Sequence, residues 1–201
     1  MHTSRRLPAL LVLLLTFLPS LAAGDQWPAA RVASVFSADG RHFVRITPGE
    51  SIGDTVGFAG APKGAYARAE FYARQADRSY TLMADVRLKN PVAPVDALVN
   101  NAGYLITFDN WHNAGYGHVV AIYGSRGAVI ATYELERLYP LERLAQIRTS
   151  ESSRWWRCSA LGYVDPAKQA AVYVTERLGG TFVFELATGR FEYSPGKAEC
   201  Q

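Results

Sequence analysis

Thr107-Phe108-Asp109-Asn110-Trp111-His112-Asn113-Ala114-Gly115-Tyr116-Gly117-His118 gathers a carboxylate, two amides, two imidazoles, an indole and a phenol into twelve residues. As catalysis, Asp109 would orient His112, with Ser152 or Ser153 as the nucleophile. No Gly-x-Ser-x-Gly elbow accompanies them, and nothing in the chain fixes a serine within reach of His112. As a metal site, Asp109, His112 and His118 carry zinc-type donors, but the histidines stand six apart and lack the i, i+4 spacing of a helical site. Asp109, Asn110 and Asn113 carry calcium-type oxygens without the Asp-x-Asp-x-Asp-Gly loop. No cofactor and no metal are expected.

A second dense patch is Ser152-Ser153-Arg154-Trp155-Trp156-Arg157. Two non-catalytic roles compete for both patches. As a structural lock, Trp111, Trp155 and Trp156 would fill gaps between packed units, and Asp109 and Arg154 would form a bidentate pair. Gly115 and Gly117 would permit the bends. As a recognition surface, exposed Trp and Tyr116 beside Arg154 and Asn110 would stack on and hydrogen-bond a glycan or a protein. One ring cannot be both a buried lock and a ligand platform, so burial decides between them.

These residues must be positioned by strands. Twelve runs rich in β-branched and aromatic residues cover Val32–Phe36, His42–Ile46, Ala67–Ala73, Tyr80–Leu88, Ala97–Val99, Tyr104–Phe108, Val119–Tyr123, Val129–Tyr133, Ala160–Val164, Ala170–Thr175, Thr181–Leu186 and Arg190–Tyr193. Turn signals such as Asp39-Gly40, Asn101-Ala102-Gly103 and Thr188-Gly189 separate them. Gly40 to Gly103 is 63 residues, Gly103 to Asp165 is 62, and Gly127 to Gly189 is 62. The chain therefore reads as three copies of a four-stranded antiparallel unit, at about 30–90, 91–148 and 149–201. The first copy carries a Gly- and Pro-bearing insertion, Gly49 to Gly64. Between the second and third copies, Leu135, Leu138, Leu141 and Leu144 fall at helical spacing, with Pro140 opening a second short helix. That segment is expected to cap the end of the sheets.

Ser37-Ala38-Asp39-Gly40-Arg41-His42-Phe43-Val44 resembles the opening hairpin of exported β-propeller repeats, and Thr181 to Arg190 resembles their closing hairpin. The expected fold class is all-β, built of three propeller-like units. Three are too few to close a ring. An open, sandwich-like arc in a monomer ranks ahead of a homodimer completing six blades. From Ser37 to Trp156 the chain also resembles a group of uncharacterised bacterial exported proteins marked by Thr-Phe-Asp-Asn-Trp-His, Gly-Tyr-Gly and Ser-Ser-Arg-Trp-Trp. That resemblance implies that the two patches belong together; it implies no activity.

Residues 1 to 24 have the parts of a cleavable secretory signal: Arg5-Arg6, an apolar run from Leu10 to Leu18, and small residues Ala22-Ala23-Gly24. The uncharged stretch from Leu7 to Ala23 is 17 residues and holds two prolines, short of the ~20 a membrane-spanning helix needs. A single domain, 25–201, is expected to follow, in the periplasm or outside the cell. The full chain carries 21 basic and 18 acidic residues. Loss of Arg5 and Arg6 with the signal brings it close to neutral, which argues against nucleic acid or a membrane surface as partner. Cys158 and Cys200 are expected to pair, a bridge worth roughly 3–4 kcal/mol for a loop of this length. The overall expectation is an exported, non-catalytic binding domain. The alternative is a small periplasmic hydrolase using Asp109, His112 and a serine.

Overall fold

A computed structural model describes residues 27–51, 64–197 and 200. The expected signal and most of the first-unit insertion lie outside the described residues. Twelve strands form three four-stranded antiparallel sheets, each a meander in sequence order. The first holds β1 (Ala33–Phe36), β2 (His42–Thr47), β3 (Arg68–Arg74) and β4 (Tyr80–Arg87). The second holds β5 (Pro94–Val99), β6 (Leu105–Asn110), β7 (Val120–Tyr123) and β8 (Val129–Tyr133). The third holds β9 (Arg157–Tyr163), β10 (Ala171–Glu176), β11 (Gly180–Glu185) and β12 (Phe191–Pro195). The sheets do not close on themselves, so the single chain is an open three-sheet arrangement, mostly β with two short helices.

Strand periodicity decides which faces meet. In the first sheet Val44, Ile46, Ala69 and Phe71 turn inward, while Arg45 and Arg68 stay out. In the third, Val172, Val174, Phe182 and Phe184 turn inward. β6 and β7 are buried at every position, because the second sheet is covered on both faces. Leu105, Ala121 and Tyr123 pack with the first sheet, whereas Ile106, Phe108, Val120 and Ile122 pack with the third. The middle sheet is thus shared by two cores.

The repeat is visible in side-chain detail. Asp39 N donates to Asn101 Oδ1 (3.0 Å), and Asn101 N donates to Gln169 Oε1 (2.8 Å), so the first turns of the three units are stitched in a row. The last hairpin turn of each later unit presses on the last strand of the unit before it. A Cβ at Gly127 would lie 2.7 Å from Val86 Cγ1 of β4, and one at Gly189 would lie 2.5 Å from Ala131 Cβ of β8. Both glycines also have positive φ.

The leucine-spaced segment forms two single-turn helices, α1 (Leu135–Leu138) and α2 (Leu141–Leu144). Leu135, Leu138, Tyr139 and Ile147 join the core shared with the third sheet, as a cap. Leu141 departs from the expected apolar face and is 79% exposed, because the chain turns at Pro140 and restarts the second helix on a new axis. Cys158 and Cys200 form a disulfide that ties the chain end to β9.

Gly40→Ala, whose new methyl meets nothing within 4 Å, should cost only the left-handed backbone penalty of about 1 kcal/mol. Gly127→Ala and Gly189→Ala should each cost about 1–3 kcal/mol more in urea unfolding, because they add an overpacking term. Equal losses at all three positions would contradict the unit-on-unit packing.

Candidate functional site

Asp109 ends the buried run of β6 with φ of 58°. In a regular pleat it would face the first sheet, opposite to Phe108, whose ring meets Phe184 of the third sheet. The left-handed backbone turns it to the third sheet as well. Its Oδ1 accepts from Gly115 N (2.9 Å) and from Trp156 Nε1 (2.7 Å), and its Oδ2 accepts from Arg157 Nε (2.6 Å). Arg157 also donates to Asp96 Oδ2 of β5 (2.6 Å) and stands 5.6 Å from the Phe108 ring centroid. The Arg157 and Asp109 side chains are 7% and 4% exposed. Burial alone would push the Arg157 pKa down; the charge of Asp109, reinforced by Asp96, outweighs it and holds the guanidinium above its ordinary value.

Asn110 closes the seam on the other side. Its Oδ1 accepts from Asn90 Nδ2 (3.0 Å), which also donates to Asp109 O (2.9 Å). Its Nδ2 donates to Tyr116 O (2.6 Å) and His118 O (3.3 Å). Trp111 Nε1 donates to Pro28 O (2.8 Å), and its ring meets Trp27 edge-on at 5.4 Å. His112 also meets Trp27 edge-on, at 6.1 Å, and burial lowers its pKa. Tyr116 lies under the Arg154 guanidinium at 5.4 Å. Gly115 sits so close to the Arg154 backbone that a Cβ would fall 2.4 Å from Arg154 O.

The loop therefore locks the sheets, with one change of partner. Asp109 bonds an amide of its own loop, and its cation is Arg157 and not the expected Arg154. Arg154 instead pairs with Glu136 of α1 at 2.7 Å. The physical reason is position along the chain: Arg157 opens β9 and its side chain reaches Asp109 and Asp96, while Arg154 precedes that strand and its side chain reaches Glu136 of α1. The alternative catalytic set gains no support from these contacts, since those of Asp109 go to Gly115, Trp156 and Arg157 and none to His112. Ser153 is buried. Among the described residues, no group of three His, Cys, Asp or Glu side chains converges to hold a metal.

The two adjacent tryptophans divide the roles. Trp156 is 1% exposed and packs on Phe182, a lock; Trp155 is 41% exposed. Trp155 and the exposed Arg177, whose guanidinium lies 5.6 Å from the indole centroid, line two hollows in common. One, about 240 Å³, runs past Trp27, Asp96 and the disulfide. The other, about 380 Å³, runs past Arg148, Thr149 and Ser150. A further hollow of about 360 Å³ opens at the seam of the first two sheets, lined by Tyr66, Arg87, Lys89, Asn110, His118 and Glu134. Burial lowers the pKa of His118, Glu134 pulls it up, Lys89 pushes it down, and the net direction is down.

Glu176 is missing from the sequence-based candidates although it is fully buried. It accepts from Tyr139 OH (3.0 Å), Tyr193 OH (2.8 Å), Leu178 N (3.2 Å) and Arg143, joining the helical cap to the third sheet. Its inward position in the alternation Val172, Val174, Glu176 is the signal that marks it.

No protein-family model matches the chain, and no curated protein matches it. Among solved structures it aligns with the crystal structure of HIRA(644-1017) at 9% identity and a TM-score of 0.29, over 85% of this chain. It spans 57% of that chain's length. A likeness at that level carries no argument here. Among the described residues no helix is long and apolar enough to cross a membrane.

Arg157→Ala leaves Asp109 buried and uncompensated, and should cost about 3–5 kcal/mol in urea unfolding. Arg154→Ala removes a partly exposed pair and should cost about 1 kcal/mol. The reverse order would restore Arg154 as the lock.

Proposed function

We propose that the chain is an exported, non-catalytic binding domain that holds a glycan across Trp155. The observation that carries this reading is the exposure of Trp155 beside its buried neighbour Trp156. A large indole left in solvent costs hydrophobic free energy unless a ligand covers it. Trp155 stands as a ridge between two hollows, with the planar guanidinium of Arg177 against its ring. Indole stacking with planar hydrogen-bond donors suits the alternating apolar faces and hydroxyl rims of a saccharide chain.

Export is supported by the signal-like residues 1 to 24 and by the Cys158–Cys200 disulfide, which persists in an oxidising compartment. The protein works in the periplasm or outside the cell as a monomer. The hydrolase alternative loses support, because Asp109 spends its acceptors on Gly115, Trp156 and Arg157 and leaves His112 unoriented.

Thermal unfolding against a panel of cell-wall and extracellular glycans tests this. One glycan should raise the melting temperature of the wild type; at a hundredfold excess over Kd the gain is about 2.7 kcal/mol. Trp155→Ala should keep the unliganded melting temperature and lose the rise. If no glycan acts, or if the rise survives in the variant, the glycan reading fails.

A further inference from the structure

We propose that the hollow between the first two sheets is a binding site for a small oxyanion, a phosphate or carboxylate group, held by Arg87, Lys89 and His118. It is separate from the Trp155 groove and does not depend on the reading given for it. The charge balance of the first sheet points to it. Arg45 pairs with Glu70 and Arg68 with Asp85, whereas Arg87 and Lys89 have no carboxylate partner among the described residues. Arg87 and Lys89 line the same hollow of about 360 Å³. Among the described residues its carboxylate is Glu134, which faces His118 Nδ1 at 3.7 Å. The walls therefore carry an excess of positive charge in a partly enclosed space, where the field is focused.

The hollow is also built. Lys89 N donates to Tyr123 OH (2.8 Å), which anchors the end of the first sheet to β7. The next residue, Asn90, is fully buried and donates to Asp109 O and Asn110 Oδ1, and Asn110 in turn donates to His118 O. One buried amide network thus fixes the backbone on both sides, at Lys89 and at His118. Arg87 is steadied by the Tyr66 ring, with its guanidinium 3.8 Å from the centroid. An oxyanion there would accept from the guanidinium and the ammonium at once. It would bridge the two sheets and oppose the depression of the His118 pKa.

The test is calorimetric titration of the purified protein with inorganic phosphate and, separately, with citrate, alongside NMR titration of the His118 ring. Saturable binding of at least one ion is expected, with a rise in the His118 pKa on saturation. Arg87→Gln and Lys89→Gln should each weaken binding about tenfold, the loss of one charge-assisted hydrogen bond. Both side chains are exposed, so their unliganded melting temperatures should stay near the wild type. Arg177→Gln, in the other groove, should leave the affinity unchanged. Phosphate binding alone would identify a phosphate ligand, citrate binding alone a carboxylate, and both the shared oxyanion chemistry. The proposal is overturned if neither ion binds saturably, or if the Arg87→Gln/Lys89→Gln double variant binds as the wild type does.

Discussion

The carboxylate of Asp109 is the constraint around which the rest is arranged. An anion this deeply buried is tolerable only if every hydrogen-bonding direction is met. An amide, an indole and a guanidinium meet it, and they come from its own loop, from the segment entering the third sheet, and from β9. Moving any of them would strand a charge in a low-dielectric interior. The relative placement of the second and third sheets is therefore set more narrowly than the surrounding apolar contacts could set it, since Phe108, Phe182 and Phe184 would tolerate sliding. On the other face, Asn90 and Asn110 do the same work without charge.

This explains why so dense a collection of polar side chains has so little left for chemistry. Asp109 and Asn110 are consumed by the architecture, and Trp111 and His112 are committed to the segment at Trp27 and Pro28. What faces solvent lies at the margins of the lock: Trp155 with Arg177 on one seam, and Arg87, Lys89 and His118 on the other. Each seam between sheets thus ends in a hollow whose walls the buried network positions.

All twelve strands were legible, because period-two alternation and regularly spaced glycine turns are local signals that tertiary packing did not overrule. The two single-turn helices were legible from leucine spacing, though the exposure of Leu141 was not, since it depends on how the chain turns at Pro140. The loop and the Ser-Ser-Arg-Trp-Trp-Arg patch meet at Trp156 and Arg157. Which arginine would meet Asp109 was not readable, because Arg154 and Arg157 differ only in where β9 begins, and because a left-handed Asp109 breaks the alternation that would have aimed it. Exposure likewise could not separate Trp155 from Trp156. Arg87 and Lys89 escaped notice because their interest comes from having no carboxylate partner among the described residues, which only the folded chain displays.

The most direct test of the lock is hydrogen exchange at two protons in the native protein, the Gly115 amide and the Trp156 indole N–H. Both donate to the same carboxylate oxygen. If that carboxylate holds the sheets together, both protons should exchange only on global unfolding, as slowly as the amides of β6 and β7. Exchange at the rate of an exposed loop, with β6 and β7 still protected, would mean that the sheets hold without it.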